Sequence, residues 1–147
     1  MTPLQVALSY LAALGADDPD AVAAHVSDDF RNEHQSELGT GCAGRDAYRE
    51  RLPGFMATFP NRQYTVIETT PVSSTNNTSG NAADSDAPND AGEHVVAVRY
   101  RFGADVSGYR IDIPGVMWFG VRDQLLTRRV DTWDSLTFFR QTEQTPT

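Results

Sequence analysis

Residues 95–102 read Val95-Val96-Ala97-Val98-Arg99-Tyr100-Arg101-Phe102, a run dominated by β-branched and aromatic side chains. Three other stretches share that character: Gln63 to Thr70, Tyr109 to Val121 and Leu125 to Phe139. The chain before Pro60 is patterned differently. Leu4, Leu8, Leu11 and Leu14 recur at helical spacing with Gly15 as a stop, which predicts a helix over 3–14. Asp18 before Pro19 reads as an N-cap, and Val22 and Val26 then give a short second helix ending near Ser27. Tyr48, Leu52, Phe55, Met56 and Phe59 give a third helical stripe, which Pro53-Gly54 is expected to kink or split. Helices first and strands afterwards predict an α+β fold rather than an alternating parallel sheet.

Working outward, Phe30 to His34 alternates as a short strand with Phe30, Asn32 and His34 on one face. Pro114-Gly115 interrupts the long third strand of the later set and predicts a bulge or bend there, allowing the sheet to curl around a helix. Residues 73–92 carry no large apolar side chain, so they read as a mobile hairpin insertion, and 142–147 as a frayed tail. A single domain over 1–141 remains.

The chain has 147 residues, long enough to bury a sizeable core without staples. Its formal charge of −8 repels phosphate backbones and anionic membranes, so neither nucleic acid nor membrane is an expected partner. Cys42 is the only cysteine, which excludes an internal disulfide and a thiol zinc cluster. Without a signal-like N-terminus or a long apolar run, the expected location is the cytoplasm.

Several motifs, in order, resemble the nuclear transport factor 2-like superfamily, in particular its SnoaL-like cyclase and limonene-epoxide-hydrolase-like branches. They are Gly44-Arg45-Asp46-Ala47, Ala57-Thr58-Phe59-Pro60, Val95 to Tyr100, Val116 to Val121, Val130-Asp131-Thr132-Trp133-Asp134-Ser135-Leu136, and Arg140-Gln141. The resemblance implies a cone: a curved antiparallel sheet wrapped around three N-terminal helices, with a pocket between them. It also implies that Asp131, the first acid of an Asp-x-x-Asp pattern, positions an attacking water, and that Arg99 points into the pocket. Arg101 stands where the epoxide hydrolases have a second acid, and the histidine common in the cyclases is replaced by Gly103-Ala104-Asp105-Val106. Fold alone does not select an activity.

By strict alternation Leu125, Thr127, Arg129, Asp131 and Trp133 share one face of the last strand. Asp131 is therefore either a general base or a structural partner of Arg99, Arg101 or Arg129. His34 is the candidate proton shuttle and Asn32 a polar neighbour, placed where related folds carry polar pocket residues. Arg101, Met117, Phe119, Trp133, Phe55 and Tyr10 are candidate ligand contacts, whereas Cys42 is a plain small residue and His25 and His94 face solvent. Met117 and Phe119 alternate with Trp118, and Val96, Val98, Tyr100 and Phe102 are read likewise as making both sheet faces apolar; a second copy of the chain would cover the outer one. Two functions compete: a metal-free, cofactor-free isomerase, cyclase or hydrolase acting on a hydrophobic carbonyl or epoxide compound, or a non-catalytic module for ligand binding or dimerisation.

Overall fold

The computed structural model describes residues 1–34, 41–72 and 88–142. The order is α1 (Pro3–Leu14), α2 (Pro19–Ala23), β1 (Val26–His34), β2 (Cys42–Ala43), α3 (Arg45–Thr58), β3 (Gln63–Val72), β4 (His94–Val106), β5 (Tyr109–Arg122), β6 (Leu125–Trp133) and α4 (Ser135–Gln141). The six strands form one curved sheet in the order β2-β1-β6-β5-β4-β3. Every pairing is antiparallel except β1 with β6, which is parallel. The expected α+β architecture is present, and the parallel β1–β6 pair is its one departure from an antiparallel sheet.

Local chemistry sets the helix ends. Thr2 and Gln5 form a reciprocal capping box on α1, and Asp18 accepts from the Ala21 amide to start α2. The second helix is shorter than its apolar spacing suggests, because Val26 belongs to β1 rather than to the Val22 stripe. His25 is not a solvent-facing histidine: its ring bonds Ser9 Oγ at 2.8 Å and the Ala21 carbonyl at 2.7 Å, tying α2 to α1. Helix α3 runs unsplit through Pro53, since Pro53 and Gly54 face solvent and water can take over the carbonyl that proline leaves free. The last strand stops at Trp133 rather than Phe139. Asp134 caps α4 there, accepting from the Thr137 amide at 3.0 Å.

The sheet bends elsewhere than expected. The β4–β5 ladder is unbroken across Pro114 and Gly115, and the register shifts lie between Val26 and Arg31, Val66 and Glu68, and Gly120 and Val121. Pro114 is tolerated because the β5–β6 pairing ends at Gly115–Trp133, so its missing N–H would face past the end of β6. The shift at Gly120 also turns Leu126 into the core, breaking the strict alternation of β6.

Val96, Val98, Tyr100 and Phe102 all lie on the inner face of β4, so that strand does not present them on both sides. The helices fill the sheet's concavity through a core that includes Val6, Tyr10, Leu14, Phe30, Met117 and Phe119. Ala104, Val106, Ile111 and Ile113 form a second cluster with Phe59, Trp133 and Phe138. Arg62 closes the helix ends: its buried guanidinium donates to Leu14 O at 2.6 Å, to Phe59 O at 3.2 Å and to Ala16 O, and pairs with Asp17 at 2.8 Å. Of the expected insertion only 88–92 is described, as a turn held by Asn89, whose Oδ1 accepts from the Ala91 and Glu93 amides; 73–87 and 143–147 lie outside the described residues. Among the described residues no helix is long and apolar enough to cross a membrane.

Candidate functional site

Parallel pairing of β1 with β6 sets Asn32 beside Arg129 and His34 beside Asp131. Alternation along β6 then turns Arg129 and Asp131 into the concavity, where both are almost fully buried. Arg129 Nη2 donates to Asp131 Oδ2 at 3.0 Å and Nη1 to Asn32 Oδ1 at 3.2 Å. Tyr100 reaches across β5 and donates its hydroxyl to Asp131 Oδ1 at 2.6 Å. That reach explains Gly115, because a Cβ at this position would overlap the Tyr100 ring.

These groups form the polar wall of a cavity of about 450 Å³. Phe55, Phe59, Tyr64, Phe102, Trp133 and Phe138 line the rest of it with Leu14, Leu52, Ile111 and Ile113, and Arg51 also borders the space. An apolar enclosure with a few convergent polar groups is the usual form of a small-molecule site.

Electrostatics sharpen the polar wall. Burial lowers the His34 pKa below its ordinary value, and Arg129 and Arg51 lower it further while Asp131 opposes them. His34 is therefore a neutral imidazole at pH 7, and its Nδ1 has no protein partner among the described residues. Burial disfavours the Arg129 cation, but Tyr10 and Asp131 outweigh that effect and its pKa lies well above the usual arginine value. Burial likewise raises Tyr48, Tyr64 and Tyr100, so all three phenols stay protonated.

The structure places the sequence candidates unevenly. Asp131, His34, Asn32, Trp133 and Phe55 border the cavity. Arg99 and Arg101 do not: alternation puts Tyr100 inside, so both arginines point outward, Arg99 to Glu68 at 2.6 Å and Arg101 to Asp112 at 2.9 Å. Tyr10, Met117 and Phe119 are fully buried in the helix–sheet core and do not reach the cavity surface. Of the arginines considered for Asp131, it is Arg129 that pairs with it. Sequence reasoning missed Tyr48, Tyr64 and Tyr100; for Tyr100 the signal was available, since it shares a face with Val96 and Val98.

The sequence model of the SnoaL-like domain matches residues 7–129. A Catenulispora acidiphila protein with a ketosteroid isomerase-like fold, solved with trimethylamine, superposes with a TM-score of 0.74 at 16% identity over 99% of this chain and 96% of its own. A Mycobacterium tuberculosis LEH-like epoxide hydrolase gives 0.67 at 18% identity, covering 93% and 86% respectively. A candidate SnoaL-like polyketide cyclase from Jannaschia sp. CCS1 gives 0.69 at 15% identity, covering 97% and 92%. No curated protein sequence matches significantly. At these identities the structures establish a shared fold.

Because Arg129 and Asp131 are buried together, Asp131→Asn should cost about 3–5 kcal/mol, leaving a guanidinium without its counter-charge. Tyr100→Phe should cost less, about 1.5–3 kcal/mol, as one hydrogen bond to a buried carboxylate is lost. Denaturant unfolding of the two variants checks this, and an Asp131→Asn protein as stable as the parent would show that the ion pair does not hold the wall.

Proposed function

Since the chain belongs to the SnoaL-like domain family, we propose that it binds a small, largely apolar carbonyl or epoxide compound in the cavity and converts it by general acid/base chemistry. The reaction class is that of an isomerase, cyclase or hydrolase, and it needs neither a metal nor an organic cofactor. One observation carries this reading: a neutral His34 stands beside an ion-paired Asp131 in a largely apolar cavity.

The residues divide the work by their charge states. His34 has a lone pair to accept a proton from ligand or from water, and the neighbouring Asp131 carboxylate steadies the imidazolium that results. Asp131 itself accepts from Tyr100 through one oxygen and from Arg129 through the other, which suits it to support rather than to direct attack. Asn32 gives its carbonyl to Arg129, so its amide hydrogens are directed elsewhere. The same occupancy of both Asp131 oxygens favours the alternative reading, a binding module without turnover.

The sheet's outer face supports a homodimer. Ile67 and Trp118 are 43% and 40% exposed there, amid the Arg99–Glu68 and Arg101–Asp112 pairs. A face carrying both signs around an apolar centre is complementary to itself under a two-fold axis. Light scattering at micromolar concentration should give twice the chain mass for the parent and the single-chain mass for Trp118→Glu; a monomeric parent contradicts the dimer.

The role of His34 is checked by pH. A histidine whose pKa is lower folded than unfolded takes up protons preferentially in the unfolded chain, so its contribution to stability is lost as pH falls below about 6.5 toward the folded value. Acidification from pH 7.5 to 5.5 should therefore destabilise the parent more than His34→Gln. A smaller loss in the parent would mean that the site favours the imidazolium, and His34 would not be a base.

A further inference from the structure

The cavity is bordered by one charged group that the reading above leaves without a task. Arg51 on α3 stands at the exposed edge of that helix, one turn before Phe55, and both line the space. The other charged lining residues, Arg129 and Asp131, are bonded to each other. Their fields do not cancel at His34: Arg129 lowers its pKa by more than Asp131 raises it, and Arg51 lowers it again. The potential at this end of the cavity is therefore positive.

The chain as a whole has a charge of −8, which repels an anion at long range. Salt screens that repulsion beyond about 8 Å under physiological conditions, so a ligand at the mouth meets the local groups instead. Exposure then decides which end of a ligand sits where. Arg51 keeps its head group in water while its stem covers apolar surface. An anionic group held there retains part of its hydration; placed deeper, the same group would lose its water and face the buried Asp131 carboxylate. The apolar body lies against Phe55 and Phe102, whose ring planes are 23° apart and suit a flat ligand.

The chemistry of the side chain names the group. A guanidinium has five N–H donors in a flat fork, so Arg51 can take a carboxylate while keeping another partner. Its single charge matches a carboxylate, whereas a phosphate monoester brings nearly two.

We propose that Arg51 selects an acidic ligand: a flat, largely apolar carbonyl or epoxide compound that also carries a carboxylate, bound with that carboxylate on Arg51 at the mouth. This rests on the cavity reading above and narrows its ligand class. Arg51 binds and orients the ligand and takes no part in proton transfer.

A naphthoate and the naphthamide of matching shape differ in charge alone, and fluorescence titration gives their dissociation constants. The parent should bind naphthoate about tenfold tighter than naphthamide at about 0.15 M salt, and the preference should shrink at about 1 M. Arg51→Gln should abolish the preference and leave naphthamide binding unchanged, while Arg51→Lys should keep part of it. A purely structural Arg51 would instead weaken both probes together, which overturns the proposal. If the parent shows no preference, or Arg51→Gln retains it, the acidic ligand class is overturned and the cavity stands. If neither probe binds the parent, both fall.

Discussion

Arg129 and Asp131 lie two residues apart on one strand, and both are removed from water. Burying two charges costs several kcal/mol per ion before their attraction repays it, and it repays only when the remaining donors and acceptors are engaged. Here Asn32 takes a second guanidinium nitrogen, and Tyr100 takes the second carboxylate oxygen. Those partners come from β1 and β4, so the pair constrains three strands at once. The parallel β1–β6 pairing sets Asn32 and His34 beside it, and the glycine beneath Tyr100 leaves room for the tyrosine to reach it.

The aromatic wall is the complement of that constraint. The core under α1 and α3 is closed by Tyr10, Met117 and Phe119, and the second cluster around Ile111 and Ile113 sits at the other end of the sheet. The cavity borders both clusters, and Trp133 and Phe138 reach it from the end of β6 and from α4. Helix α4 is fastened by a reciprocal pair of bonds between Gln141 and the Asp112 backbone, at 2.6 and 2.9 Å. A rigid apolar enclosure with one polar wall discriminates by where a ligand carries its oxygen, since an unmatched polar group there is costly.

Much of this was legible in the sequence, for identifiable reasons. The four long strands were visible because their β-branched and aromatic residues are concentrated where no helical spacing competes. The start of β1 was not, because Val22 and Val26 are also spaced as a helix and only tertiary pairing separates them. Alternation put His34 and Asn32 on one face of a strand, and the resemblance to related folds put that face in the pocket. Arg99 and Arg101 were misplaced because a resemblance fixed the register of β4 one residue away from the one that its own valines dictate. The parallel β1–β6 pairing and the buried role of Arg62 leave no local signature, since each depends on elements far apart in the chain.

A double-mutant cycle on Arg129 and Asp131, using Arg129→Met and Asp131→Asn with unfolding free energies read by denaturant, tests the central constraint most directly. If the pair organises the wall, each single change leaves the other charge stranded, and the double variant loses about 2–3 kcal/mol less than the sum of the two. Additive losses would mean that the two charges are held independently, and the polar wall would have to be explained without them.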